Sequence, residues 1–250
     1  MTKKRALILG ASYGLGAYFA DRMAEEGWTV TGLGSRLRGE AALPVGADYI
    51  QADLSLPETL DWLLGKIGSV PDLIVNSAVR YPDDRVNPPS LSELESVFRV
   101  NALVPYRLLL DLLTSPREGF CACVVVNSDA IYHSRDQSGI YSASKAALRV
   151  LTSALADACR GRNASVSTLL LGPLADPRKV EGIRRVAEQR GITDAEVTQT
   201  FLNRMKTNLV IDTLIDFESC FQSLMYMAQL GPISNGMMCR LDGGSSGGLV

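Results

Sequence analysis

Short apolar runs alternate with amphipathic stretches along almost the whole chain, and this alternation most constrains what it can fold into. The apolar runs predict strands near Ala6–Leu9, Thr29–Leu33, Tyr49–Gln51, Leu73–Asn76, Cys121–Asn127, Ser165–Leu171 and Met237–Leu241. Between them, a helical period predicts helices over Leu15–Glu26, Pro57–Lys66, Leu91–Leu113, Ile140–Arg160 and Phe217–Leu230. Strand and helix in turn give a parallel sheet wrapped by helices, an α/β architecture. Near-continuous apolar runs such as Cys121–Val126 belong to central strands buried on both faces. Two helix starts carry cap signals. Ser55 precedes a first-turn Pro57, and Ser92 precedes Glu93 and Glu95 at a positive helix end.

One stretch departs from the alternation. Between Asp176 and Asp216 two further helical patterns, Pro177–Arg190 and Asp194–Lys206, are split by Gly191, and an insertion of this size before the last strand reads as a lid. It carries Arg178, Lys179, Arg184, Arg185 and Arg190, partly offset by Glu181 and Glu188. These form either a solvated helix face or a cationic contribution to substrate or partner binding.

Composition excludes several classes. At 250 residues the chain fits one domain with a sizeable core, and 46% hydrophobic residues with a net charge of −2 exclude intrinsic disorder. Near neutrality also lacks the basic footprint of a nucleic-acid binder. A single histidine, His133, precludes a multi-histidine metal centre, and the five cysteines show no zinc-ligand spacing, so no metal is expected. Reduced cysteines point to the cytoplasm. Lys3-Lys4-Arg5 before Ala6-Leu7-Ile8-Leu9 imitates a secretory start, but the apolar run ends after four residues, where such a signal needs roughly 7–15. No segment reaches the roughly 20 apolar residues of a membrane span.

The chemistry sits in two places. Leu9-Gly10-Ala11-Ser12-Tyr13-Gly14-Leu15-Gly16 joins the first strand to the first helix, and its glycines let a pyrophosphate approach backbone amides at the helix's positive end. Farther on, Tyr141 and Lys145 stand four apart on one helix face, where a nearby ammonium favours the phenolate and lowers the tyrosine pKa. Ser128 ends the most apolar strand thirteen residues before Tyr141, placed to polarise a carbonyl beside it. Asn101 lies in an apolar helix, where a buried amide needs a water or backbone partner. His133, with Asp129, Tyr132 and Asp136, makes the loop after Ser128 polar, which favours a substrate with hydroxyl or amine groups. Met205, Met225, Met227, Met237 and Met238 read as core or interface filler.

Taken in order, these motifs resemble the single-domain branch of the short-chain dehydrogenase/reductase family, over nearly the whole chain. Gly10, Gly14 and Gly16 match its cofactor turn, and Asp53-Leu54 its adenine-contacting pair. Asn76-Ser77-Ala78-Val79 is similar to its Asn-Asn-Ala-Gly element. Asn101, Ser128, Tyr141 and Lys145 match the four catalytic positions. Gly172-Pro173 falls at the turn after the sixth strand, and Leu241-Asp242-Gly243-Gly244 matches the last strand's ending. The resemblance implies a Rossmann-type doubly wound parallel sheet of about seven strands, helices on both faces and a helical lid at about 176–216, with residues 1–250 as one dinucleotide-binding catalytic domain. It implies cofactor contacts from Gly10, Ser12, Tyr13, Gly14, Leu15, Gly16, Ser35, Arg36, Asp53, Leu54, Asn76, Ser77, Ala78, Tyr141, Lys145, Gly172, Pro173 and Leu174. It further implies that Ser128 holds the substrate oxygen and Tyr141 donates the proton. Lys145 would lower the tyrosine pKa and bind ribose hydroxyls, and Asn101 would keep a water in the relay behind Lys145. The chain departs from the family pattern at Leu9, Ser77, Val79, Leu171 and Asp176, none of which removes a proton-transfer group.

The resulting expectation is an oxidoreductase that reduces a ketone, or oxidises the secondary alcohol, of a small organic substrate such as a biosynthetic intermediate. The alternative is a non-catalytic NADP-binding sensor or scaffold on the same fold. After the second strand, Leu33-Gly34-Ser35-Arg36-Leu37-Arg38 holds no carboxylate for a ribose diol, and Arg36, helped by Ser35 or Arg38, suits a 2′-phosphate. NADP(H) is therefore expected ahead of NAD(H). No nucleic acid or membrane partner is expected. The helices at 91–113 and 140–160, by which relatives pair, imply a homodimer or homotetramer.

Overall fold

The structure, a computed structural model, describes residues 3–82, 89–133, 138–205 and 208–247. Asp136 and Lys206 lie outside the described residues.

Seven parallel strands form one sheet: Arg5–Leu9 (β1), Thr29–Gly34 (β2), Asp48–Gln51 (β3), Leu73–Asn76 (β4), Cys121–Ser128 (β5), Ala164–Leu171 (β6) and Met238–Leu241 (β7). Their spatial order is β3-β2-β1-β4-β5-β6-β7, so the winding reverses between β1 and β4. Eight α-helices are described: Gly14–Glu25 (α1), Thr59–Ile67 (α2), Leu91–Phe98 (α3), Val104–Thr114 (α4), Gly139–Ala158 (α5), Pro177–Arg190 (α6), Asp194–Met205 (α7) and Phe217–Gln229 (α8). Among the described residues, no helix is long and apolar enough to cross a membrane.

Alternate side chains of each strand face opposite ways, and the two resulting cores show it. Leu7 and Leu9 of β1, Ile74 of β4 and Cys123 and Val125 of β5 pack with Leu63 of α2, Leu108 and Leu112 of α4 and Leu148 and Leu155 of α5. Their neighbours Ala6, Ile8, Val75 and Val124 face Phe19 and Met23 of α1 and Phe221, Leu224 and Met227 of α8. Burial on both faces explains why these strands read as continuous apolar runs. All five cysteines are free, and four are fully buried.

The expected helix over 91–113 is broken. A π-helical turn, Arg99–Leu103, separates α3 from α4. The cause is Pro105 in the first turn of α4, which has no N–H to offer the Asn101 carbonyl, so the ladder widens and the Val104 amide reaches Arg99. The caps differ too. Ser90, not Ser92, caps α3 by accepting from the Glu93 amide at 3.2 Å. Ser55 caps nothing: α2 starts only at Thr59, because the Asp53 carboxylate takes both the Ser55 amide and hydroxyl (2.9 and 2.7 Å) in a local turn.

The insertion is folded back on the body. Leu174 and Ile215 bridge its two ends, while Ile183, Ala187 and Leu202 bury the inner side of its helix pair. Gly191, left-handed at φ 64°, closes α6, and Asp176 caps its start by accepting from the Arg178 amide at 2.9 Å.

At the centre, β1 and α1 meet the end of β4 backbone to backbone. A Cβ on Gly16 would stand 2.3 Å from the Gly10 carbonyl oxygen and 2.5 Å from Ser77 Oγ. Gly16→Ala is therefore expected to lower stability by about 1–3 kcal/mol in urea denaturation. Gly39→Ala, whose Cβ would meet nothing within 4 Å, should leave the midpoint unchanged; equal midpoints for both variants would refute this packing.

Candidate active site

A cleft of about 920 Å³ runs across the carboxyl ends of the strands, over the reversal between β1 and β4. Doubly wound sheets place their ligands there. Of the residues expected from the sequence, all but Asn76 and Asn101 line it.

At the β1–α1 turn, Gly10 adopts φ 80° and its amide bonds the Leu33 carbonyl at 2.8 Å, tying the turn to β2. A Cβ there would come within 2.7 Å of the Ala78 backbone. Ser77 clamps the other side, giving both its amide (2.9 Å) and its hydroxyl (2.8 Å) to the Leu9 carbonyl. Ser77 thus has a local reason for replacing the family's asparagine. Tyr13 precedes α1 but makes no side-chain cap, so the first-turn amides of α1 have no side-chain acceptor. Amides so placed beside Gly14, whose φ is 60°, suit a pyrophosphate. The glycine cradle and the uncapped helix fit a dinucleotide.

Toward β2 and β3 the cleft is lined by Gly34, Ser35, Arg36, Asp53 and Leu54. Tyr49, which carries no sequence motif, holds this edge in place by donating its hydroxyl to the Arg36 carbonyl at 2.8 Å. The Arg36 guanidinium lies 4.6 Å from the centre of the Tyr13 ring. Arg38, expected to assist, points elsewhere: it stands over Tyr49 and bonds the Ala47 carbonyl at 3.4 Å. At the β6 end, the Gly172 amide bonds Leu241, and a Cβ there would meet the Asp242 backbone at 2.7 Å.

Toward β5, Ser128, Tyr141 and Lys145 converge. Tyr141 and Lys145 share a face of α5, and both line the cleft together with Ser128. The Tyr81 ring stacks on Tyr141, centroids 4.9 Å apart and planes inclined at 23°. Nothing in the sequence marks Tyr81, which reaches the site only because its loop is anchored. The anchor is Asn101. Fully buried in the π turn, it accepts from the Arg80 amide (2.7 Å) and donates to both the Arg80 carbonyl and Ser144 Oγ (2.9 Å each). Ser144 in turn donates to the Tyr141 carbonyl at 2.7 Å. The Asn101 side chain is thus engaged by protein groups, and it joins the Arg80–Tyr81 loop to the tyrosine's own helix. Asn76 also lies behind the cleft, its Oδ1 accepting from the Ala78 amide at 3.3 Å.

The electrostatics differ from the expectation that Lys145 lowers the tyrosine pKa. Burial, followed by repulsion from Tyr81, holds the Tyr141 hydroxyl well above the usual phenol range, with Ser128 acting against this. Lys145 is itself buried. Its ammonium donates to the Val126 carbonyl at 3.4 Å, and desolvation brings its pKa down to about 8.

The remaining wall carries charge. Asp129 is buried and accepts a hydrogen bond from Ser245 near the last strand. His133 also lines the cleft. Lys179 of α6 lies over the Phe201 ring, its pKa lowered by burial against the opposing pull of Asp176 and Asp129. Asp176, one of the departures from the family pattern, is engaged as the cap of α6.

A family model described as short chain dehydrogenase matches residues 4–184. Ketoacyl reductase HetN of Nostoc sp. (strain PCC 7120) is 28% identical over 251 residues, covering 94% of this chain and 87% of that one. Among solved structures, L-sorbose reductase from Gluconobacter frateurii, complexed with NADPH and L-sorbose, superimposes with a TM-score of 0.83 at 18% identity, covering 100% and 98% of the two chains. A 4-hydroxyisoleucine dehydrogenase complexed with NADH gives 0.80 at 20% identity, covering 99% and 100%.

The buried ammonium generates a pH prediction. With a folded pKa of about 8 against 10.5, Lys145 destabilises the native state fully below pH 8. The penalty fades as pH rises toward 10.5, because there the unfolded chain binds more protons. Lys145→Met should therefore be more stable than wild type at pH 7, by up to roughly 3 kcal/mol, with the gap closing by pH 10.5. Denaturant midpoints across that range check it, and a pH-independent gap would show that the lysine is not desolvated.

Proposed function

The chain belongs to the short-chain dehydrogenase family, and on that premise we propose that this oxidoreductase is an NADP(H)-dependent reductase of ketones, running in reverse on secondary alcohols. The observation that carries the proposal is that Ser128, Tyr141 and Lys145 all line one cleft, with Lys145 one helical turn beyond Tyr141.

Ser128 holds the substrate oxygen, its own hydroxyl steadied by the Ala130 amide at 3.2 Å. Tyr141 donates its proton to that oxygen. A hydroxyl with a raised pKa stays protonated across the neutral range, so the proton is available for donation. Lys145 places a cation beneath the phenolate that remains and is positioned to hold ribose hydroxyls. Asn101 sets the depth of Tyr141 through Ser144 and that of the facing Tyr81 through Arg80. When bound, the nicotinamide supplies the hydride to the carbonyl carbon. The cofactor's phosphates would rest on the glycine turn and the start of α1, and its adenosine beside Ser35, Arg36, Asp53 and Leu54.

NADP(H) is favoured because the β2 end offers Arg36 and no acid for a ribose diol. Asp129, His133 and Lys179 make the substrate end polar and suit a small hydroxyl- or amine-bearing organic molecule, such as a biosynthetic intermediate. The free cysteines support a reducing, cytoplasmic setting. Exposed Leu103 beside α4 and Val150 on α5 support pairing into a homodimer or homotetramer through those helices.

Incubation with NADPH and a varied ketone panel tests the activity. Tyr141→Phe should lower kcat by about 10³-fold while still binding NADPH. Unchanged turnover in that variant would remove Tyr141 as donor. Tight NADPH binding with no turnover of any ketone would favour the alternative of a nucleotide-binding sensor or scaffold.

A further inference from the structure

Two arginines distant in sequence meet on one aromatic ring at the cleft. Arg36 follows β2, and Arg178 belongs to the first turn of lid helix α6. Their guanidinium carbons lie 4.6 and 4.8 Å from the centre of the Tyr13 ring, so the two charges stand within about 10 Å of each other. Both residues line the cleft. Neither guanidinium makes an ion pair or hydrogen bond among the described residues. Elsewhere on the lid, Arg184 pairs with Glu181 at 3.7 Å. The nearest acid on α6's own start, Asp176, is engaged by the Arg178 backbone amide at 2.9 Å. Arg38, the neighbouring cation, is turned onto Tyr49 and Ala47.

Two unpaired guanidiniums held close together repel, and an anion between them relieves this. Charge-assisted contacts of about 2.8 Å from each fork let one phosphate bridge such a pair. Tyr13 supplies a platform shared by both side chains, since guanidinium planes stack on aromatic faces.

We propose that Arg178 of the lid and Arg36 of the body form a two-arginine seat for the 2′-phosphate of the cofactor's adenosine, with Tyr13 as their shared platform. The inference rests on the NADP(H) reading above and adds a lid residue to it. It also makes the lid a sensor of that phosphate: a 2′-phosphorylated nucleotide bridges lid and body, and its unphosphorylated counterpart does not.

The nucleotides 2′,5′-ADP and 5′-ADP separate this contact from the nicotinamide and from catalysis. The ratio of their dissociation constants, measured by calorimetry on the full chain, should favour 2′,5′-ADP in wild type and fall about tenfold or more in both Arg36→Ala and Arg178→Ala. Arg178 and Arg184 are both exposed, but Arg184 does not line the cleft, so Arg184→Ala is the control and should keep the wild-type ratio. Hydrogen exchange across residues 177–190 should slow with 2′,5′-ADP and not with 5′-ADP. A wild-type ratio in Arg178→Ala beside a collapsed ratio in Arg36→Ala overturns the two-arginine seat and leaves the NADP(H) reading standing. An equal fall in Arg184→Ala also overturns the seat, since it would show a general field rather than a contact. No preference in wild type overturns both.

Discussion

The site depends on a contact between backbones that tolerates no side chain. Gly16 in the first turn of α1 rests against the Gly10 carbonyl and Ser77, while Gly10 rests against Ala78. Because β1 and β4 flank the reversal of the sheet, this contact brings the start of α1 over the point where the winding reverses. Ser77 strengthens it by giving two hydrogen bonds to the Leu9 carbonyl. The uncapped amides of α1 and the floor of the cleft are consequences of that approach.

A second constraint acts through a single buried amide. Asn101 spends both amide atoms on Arg80 and Ser144, so a loop after β4 and a helix after β5 are held at one separation. An unsatisfied amide at full burial would be costly, and this network is what lets a polar residue sit in the apolar turn. The Tyr81–Tyr141 stack follows from that separation. Burial then acts on the two titratable groups in opposite directions, keeping the tyrosine protonated and easing the proton off the lysine, since each is driven toward its neutral form. The lid adds charge from the other side of the cleft through Arg178 and Lys179.

Much of this was legible from residue order. All seven strands lie within a residue or so of where the apolar runs put them, and in the central strands β4, β5 and β6 burial on both faces leaves little room for polar residues. Helix ends were less legible. Ser55 and Ser92 look like caps, yet Asp53 draws Ser55 into a local turn and Ser90 caps α3, and those outcomes depend on dihedral angles. The break at Arg99–Leu103 is signalled by Pro105, but a proline in a long apolar pattern equally suits a kink.

The sequence alone determined the alternation that makes a doubly wound sheet, the glycines of the first turn, and the four polar residues at family positions. The first two depend on local chemistry, the period and the missing Cβ, and the four residues on helical spacing for Tyr141 and Lys145 and on the family resemblance for Asn101 and Ser128. Tertiary structure alone decided that Asn101 is satisfied by protein groups, that Tyr81 covers Tyr141, and that Arg178 shares Tyr13 with Arg36 while Arg38 turns away. Those are contacts between segments far apart in the chain, set by how loops from separate strand ends converge on one cleft. No local pattern encodes such a distance.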